Sequence, residues 1–134
     1  MVEVEYMHIC DFAFPAQGGK PCFVGVFDNI TVTTLPAVHP VMFVAVQFRG
    51  KPHEVIPFTI ELARPNGAVI VHVDGTTYGN SEGVAFVAAQ LITVQFSEHG
   101  QYAVRVLSNG RMLMSQFLRI QRPQSQQPSP PRTH

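Results

Sequence analysis

The amino-acid sequence predicts an all-β protein, an antiparallel β-sandwich of about seven to nine strands. Runs rich in Val, Ile, Phe and Thr recur at short intervals between Gly, Pro and Asn, and no segment keeps a convincing helical period. Several runs alternate apolar and polar residues, which is typical of strands with one buried face. The predicted strands comprise residues 2–14, 22–27, 30–34, 41–49, 58–63, 68–74, 84–96, 101–107 and 111–120.

The fourth predicted strand, residues 41–49, shows the alternation well. Met42, Val44, Val46 and Phe48 fall on one face, while Ala45, Gln47 and Arg49 are among the residues on the other. We therefore expect a half-buried strand with the first group in the core.

The connections between these runs have turn or loop chemistry. Residues 15–19 form the turn of a first hairpin, and residues 64–67, Arg-Pro-Asn-Gly, suit a bulged hairpin turn. Pro36 and Pro40 bracket a connection between sheets, because proline cannot donate to a strand ladder. Residues 75–83 contain three glycines and predict a long loop.

The segment of residues 84–96 is ambiguous, because part of its apolar pattern also fits one face of a helix. Val, Phe, Ile and Thr dominate the segment, so we favour a strand. Asn109-Gly110 supplies the strongest hairpin signal in the chain. The domain is predicted over residues 1–121, and residues 122–134 form a flexible tail rich in Pro, Gln and Ser.

Residues 91–104 are similar to one corner of immunoglobulin-like domains, the connection between their strands E and F. Those domains place an acidic residue, a glycine and a tyrosine at alternate positions, and Glu98, Gly100 and Tyr102 match this pattern. The resemblance implies an immunoglobulin-like sandwich in which the Tyr102 hydroxyl ties the corner to upstream backbone. Val104 stands where antibody domains carry a cysteine, and the chain has no tryptophan, so a disulfide-free relative is implied.

The N-terminal segment resembles a group of short bacterial proteins of unknown function. The matching motifs are Asp11-Phe12-Ala13, then Gly19-Lys20, then a G-x-F-x-x-I strand from Gly25 to Ile30. The resemblance implies a bacterial, cytoplasmic sandwich protein and carries no activity with it.

Composition excludes several classes of function. Nine basic and nine acidic residues give a formal net charge of zero, so nothing attracts the chain to nucleic acid or to acidic membranes. No apolar run reaches the length of a membrane span, and the acidic N-terminus does not suit a secretory signal. We expect a cytoplasmic protein, and its low charge favours self-association.

The candidate reactive residues are histidines, one aspartate and the two cysteines. His72 and Asp74 share a strand face and, with His8, offer the groups of a metal or acid-base site. Cys10 and Cys22 would need one of His8, His72 or His99 nearby to act as nucleophiles. Neither cysteine has the setting of a reactive thiol, so both are predicted to be small core residues. We therefore predict no catalytic, cofactor or metal site.

The leading hypothesis for function is a non-enzymatic interaction or structural module that binds another protein. Residues 75–83 and 36–40 are its predicted binding loops. The first alternative is a small-ligand or metal-dependent enzyme, which requires His8, His72 and Asp74 to converge in one pocket. The second is a self-assembling subunit that pairs through an exposed edge strand. A proline-rich motif at residues 128–132 offers a further docking segment.

Overall fold

The structure, a computed structural model, describes residues 1–123. Within this range the chain forms nine strands and one short 3-10 turn, Gln17–Gly19. The predicted tail comprises residues 122–134. Residues 124–134, which include its proline-rich motif, lie outside the described residues. The strands are β1 Glu3–Pro15, β2 Pro21–Val26, β3 Asn29–Thr31, β4 Ala37–Arg49, β5 Val55–Ala63, β6 Val69–Tyr78, β7 Val84–Phe96, β8 Gly100–Ser108 and β9 Arg111–Gln121.

The strands form two sheets that pack face to face. One sheet has four strands in the order β2-β1-β4-β7, and the other has five in the order β3-β9-β8-β5-β6. Neighbouring strands are antiparallel, except that β3 runs parallel to β9. The predicted all-β sandwich is thus confirmed.

The core lies between the sheets and is built from alternate residues of the long strands. The predicted inner face of β4 is fully buried, as are Ile60 and Leu62 on β5 and the inner face of β8. Since both sheets contribute large apolar side chains, the two inner faces form one continuous core. The largest buried members are Tyr102, Phe48, Phe96, Ile9, Met42, Ile56, Ile60, Leu62, Leu118 and Ile120.

The corner between β7 and β8 has the predicted immunoglobulin-like geometry. The buried Tyr102 hydroxyl donates to the Glu98 carbonyl oxygen at 2.9 Å and accepts from the Glu98 backbone N–H at 3.3 Å. The Tyr102 ring meets Phe96 edge-on, with centroids 5.0 Å apart. The tyrosine corner is therefore present and joins the end of one sheet to the start of the other.

Two predicted turns are confirmed. Gly67 has a φ of 94°, and its N–H donates to the Arg64 carbonyl at 2.8 Å, which closes the β5–β6 hairpin. Asn109 and Gly110 have φ values of 52° and 75°, as a two-residue hairpin turn between β8 and β9 requires. The ambiguous residues 84–96 form strand β7.

Two predicted connections are wrong. Residues 37–40 belong to β4, because Pro40 sits in an exposed position of the strand between His39 and Val41, which both pair with β7. Strand β6 continues to Tyr78, so the loop predicted at residues 75–83 shrinks to 79–83. Thr76, Thr77 and Tyr78 favour strand and pair with the start of β5, which begins at Val55 instead of Phe58.

Candidate functional site

The outer face of the four-stranded sheet is apolar. Alternation in β4 points Val41, Phe43 and Ala45 away from the core, and β7 places Ile92, Gln90 and Ala88 opposite them. Ala45 is nevertheless fully buried and Phe43 is only 8% exposed. A sandwich face that looks outward is expected to be polar, so something must cover these residues.

The β1–β2 hairpin supplies that cover. Phe23 lies on β2, and its ring is 5.9 Å from the ring of Phe86 on β7. In the sheet order these strands are three intervals apart, about 14 Å at the usual strand spacing. Such a contact requires the hairpin end to fold back across the outer face of β4. Ala13, paired with Phe23, is buried in the same cluster as Cys10, Phe43 and Ala45.

Gly25 and Asp11 occupy the place where the hairpin bends. Gly25 has a φ of 68°, in the left-handed region that L side chains rarely adopt. A Cβ at this position would also collide with the carboxylate of Asp11. Glycine at position 25 therefore favours the bend, and any other residue there would be strained.

Next to the folded hairpin, several large apolar side chains face solvent. Phe12 is 49% exposed, Val24 is paired with it and 55% exposed, and Ile92 on β7 is 65% exposed. The set is continuous, because Phe12 contacts Phe43 with ring centroids 5.0 Å apart and Val41 pairs with Ile92. We call this surface the outer patch; it consists of the exposed Phe12, Phe14, Val24, Val26, Val41 and Ile92, with the buried Phe43 beneath them.

A polar network borders the opposite end of this sheet face. The Tyr6 hydroxyl donates to Gln47, the Gln47 amide donates to Glu5, and Arg49 Nε donates to Glu5, each at 2.9 Å. The hydrogen bond from Arg49 lowers the pKa of the Glu5 carboxyl below its usual value. The apolar surface therefore has a defined polar boundary.

The outer face of the five-stranded sheet is polar instead. His72 Nε2 lies 2.9 Å from an Asp74 carboxylate oxygen, and Thr59 donates to the other Asp74 oxygen at 2.6 Å. Glu61 lies between His72 and Arg105, at 3.7 Å from each. These side chains form a row of alternating charge across β6, β5 and β8.

The hydrogen bonds in this row shift two pKa values. The contact with Asp74 raises the pKa of His72. The Thr59 hydroxyl, followed by His72, lowers the pKa of Asp74. Each shift stabilises the charged form of its group, as in an ordinary surface ion pair.

His8 does not join His72 and Asp74. His8 lies on the outer face of the four-stranded sheet, with its ring 5.2 Å from Tyr6 and 4.9 Å from Phe23. His72 and Asp74 lie on the other outer face, so the whole core separates them from His8. Among residues 1–123, no group of three His, Cys, Asp or Glu side chains could hold a metal ion. His8, His72 and Asp74 therefore do not converge in one pocket, which the enzyme hypothesis requires.

Both cysteines are free thiols. Cys10 pairs with Val26 and Cys22 pairs with Phe14, so they sit four residues apart along the hairpin, too far for a disulfide. Burial raises the pKa of the Cys10 thiol, which keeps it protonated. His99 lies in the connection before β8, at the tyrosine corner. Cys10 is a core residue, as predicted, whereas Cys22 is half-buried.

The outer patch was not predicted, although the sequence contains a signal for it. Residues 41–46 of β4 are apolar without a break, which indicates a strand covered on both faces. Phe12, Phe14, Val24 and Val26 likewise place apolar side chains on the outer positions of β1 and β2. Where the hairpin ends, this second apolar face is left exposed.

No helix within residues 1–123 is long and apolar enough to cross a membrane.

Solved structures of other proteins are similar to this chain. It is similar to an alkylpurine DNA glycosylase, AlkC, of Pseudomonas fluorescens, with a TM-score of 0.55 and 11% identity over 90% of this chain and 30% of that chain. It is also similar to an immunoglobulin-like protein from Pseudomonas aeruginosa, with a TM-score of 0.47 and 13% identity over 90% of this chain and 97% of that one. At 11% identity the glycosylase establishes the fold alone, and the chain spans less than a third of its length.

No curated protein matches the chain. A family model does match residues 5–121, which is nearly the whole of the described range. The chain therefore belongs to DUF6941, a family of unknown function.

Proposed function

We propose that the chain is a non-enzymatic interaction module that binds another protein through the outer patch. The observation that carries the proposal is the outer patch itself, a continuous set of exposed aromatic and β-branched side chains. In the two β4–β7 pairs at this surface, Val41–Ile92 and Phe43–Gln90, Gln90 is the polar member. Contiguous exposed apolar surfaces mark binding sites, because leaving them in water costs free energy that a partner recovers.

The composition of the outer patch suits a protein partner. Phe12 and Phe14 pack against each other with ring centroids 5.5 Å apart, so their orientations are fixed before binding. Aromatic residues held in this way lose little side-chain entropy when they are covered. Because the outer patch contains no charged residue, the partner that suits it is an apolar protein surface and not nucleic acid or an ionic ligand.

The binding surface proposed here is a sheet face, whereas the sequence predicted binding through loops. The predicted loops at residues 36–40 and 75–83 consist largely of paired strand, which leaves residues 79–83 as the irregular part. The loops are therefore shorter than predicted, and the outer patch is the surface with the exposed aromatic side chains.

A bacterial, cytoplasmic setting is part of the same proposal. Two free thiols in a small domain fit a reducing compartment, where disulfides are rare.

The test is cross-linked affinity purification from the native host with matched surface variants. Phe12→Ser and Val24→Ser remove exposed apolar area from the outer patch. Phe117→Ser removes a similar side chain, 61% exposed, from the outer face of the other sheet. We expect one stoichiometric partner with the wild type and with Phe117→Ser, and its loss with the two outer-patch variants.

Thermal melting of all four proteins checks that each is folded. Equal recovery of the partner by wild type and by both outer-patch variants would contradict the proposal. Failure of the wild type to retain any partner after cross-linking would contradict it as well.

A further inference from the structure

Strand β7 is a sheet edge that lacks the features that usually prevent an edge from pairing with another strand. It lies at the end of the order β2-β1-β4-β7, and no strand within residues 1–123 pairs with its other side. It is 13 residues long and contains neither a charged residue nor a proline. Natural sheets protect edges with charges, prolines or short length, so such a strand is open to pairing.

The other edges of the sandwich have these protections. Strand β2 has six residues and begins with Pro21, and β3 has three residues. Strand β6 carries His72 and Asp74 on its exposed face. The difference singles out β7 as the edge suited to accept another strand.

The regular part of β7 ends before Thr93. Thr93 has a φ of 53°, in the left-handed region, and lies opposite Pro40, which has no N–H to donate. At the other end of β7, Val84 bonds to Asn80 through both its N–H and its carbonyl, so residues 85–91 form the free stretch between the two ends. The midpoint of that stretch is Ala88.

We infer that β7 pairs antiparallel with β7 of a second copy of this chain, with the twofold axis at Ala88. In this register Phe86 lies opposite Gln90 of the other copy, and Ala85 lies opposite Leu91. Each bulky side chain therefore meets a smaller or flexible one, and no like charges meet. A symmetric pairing of this kind is self-complementary, as a closed dimer requires.

The pairing would join two four-stranded sheets into one continuous sheet of eight strands. Both outer patches would then lie on the same side of that sheet, because antiparallel pairing about a twofold axis keeps outer faces together. The formal net charge of zero adds no long-range repulsion between the copies. The dimer does not depend on the proposed function, since Ala88 lies outside the outer patch.

Light scattering of the full chain tests the inference. We expect the wild type to have twice the chain mass of 14.8 kDa. Ala88→Lys and Ala88→Glu place like charges face to face, so each variant alone should lose half of the measured mass. An equimolar mixture of the two should recover the full mass, because Lys then meets Glu. Thr76→Lys, an exposed position on the β6 edge, should leave the dimer intact.

A smaller substitution tests the same register if the charged variants do not fold. Ala88→Cys in a Cys22→Ser background should form a covalent dimer on oxidation, whereas Thr76→Cys should not. A monomeric wild type, a dimeric Ala88→Lys variant, or a folded mixture that stays monomeric would overturn the inference. Failure of Ala88→Cys to cross-link would overturn the register.

Discussion

The two outer faces of this sandwich share one core and have opposite chemistry. On the five-stranded sheet, the outer positions next to the middle of β5 hold Thr59, Glu61, His72, Asp74 and Arg105, linked by hydrogen bonds and ion pairs. On the four-stranded sheet the equivalent positions are apolar, and a folded hairpin covers half of them. A sheet needs one buried face to fold, so its second face is free to carry function.

The two faces differ in whether their side chains find partners within the chain. The acidic and basic members of the charged row lie within 4 Å of each other, so their charges are paired within the chain. The apolar face is covered only as far as the β1–β2 hairpin reaches, and the outer patch extends beyond it. We therefore assign binding to the four-stranded sheet and solvation to the five-stranded sheet.

A lysine placed on each face should have very different effects. Ala45→Lys puts a charge into the outer cluster, the buried group of Cys10, Ala13, Phe43 and Ala45, and should cost about 3 kcal/mol or more. Ala103→Lys is half-buried on the charged face and should cost about 1 kcal/mol or less. Urea unfolding measures both. Equal losses would contradict the distinction between the faces.

Straightening the hairpin should expose the apolar face. Gly25→Ala forces a side chain into the left-handed region beside Asp11 and should cost about 1–2 kcal/mol. Gly18→Ala is the control, because Gly18 also has a positive φ but an added Cβ would contact nothing. In a Cys22→Ser background, Cys10 should react with a thiol reagent faster in Gly25→Ala than in Gly18→Ala. Identical rates would show that the bend does not protect the outer cluster.

The tyrosine corner should affect both faces together, because it joins β7 of one sheet to β8 of the other. Tyr102→Phe removes the buried hydroxyl bonded to Glu98 and should cost about 1 kcal/mol. Tyr78→Phe, at a position 65% exposed, is the control and should change little. A chemical denaturation midpoint that is unchanged in Tyr102→Phe would contradict a structural role for the corner.

The smallest expected effect is the pH dependence of the charged row. The folded pKa of His72 is raised, so its contribution to stability is complete below the unfolded pKa and is lost as pH rises through the folded pKa. The lowered pKa of Asp74 means that its contribution is lost only in acid, as pH falls through the folded value. His72→Gln should therefore lower Tm slightly near pH 5 and not near pH 9, values of about two units either side of an ordinary histidine pKa.

The control for this prediction is His53→Gln, which changes a histidine that forms no ion pair with any of residues 1–123. A drop in Tm of His72→Gln that is equal at both pH values would show that the His72 charge does not contribute. NMR titration of the His72 ring provides a direct check of the direction of its pKa shift.

Much of the fold could be predicted because its signals are local. Tyr102 with Glu98, the Asn109-Gly110 turn and the alternation around Phe48 each depend on neighbours in sequence. Pro40 was misjudged because a proline within a strand is tolerated when the sheet supplies an exposed, irregular position, and that depends on Thr93, more than fifty residues away. Gly75 suggested a loop, but the Phe58 ring packs over it on the neighbouring strand.

The candidate site was harder to predict than the fold. The outer patch exists because the hairpin folds across β4 and stops short of Val41 and Ile92, which no local pattern specifies. His8 and His72 looked equivalent in the sequence, and only the topology shows that they lie on opposite faces.

Carbene footprinting of the wild-type chain, free and in complex with its captured partner, shows which sheet face the partner covers. We expect labelling of Phe12, Val24 and Ile92 to fall on binding and labelling of Phe117 and Tyr78 to stay unchanged. Protection of Phe117 and of the charged row, with the outer patch labelled as before, would contradict the assignment of binding to the four-stranded sheet.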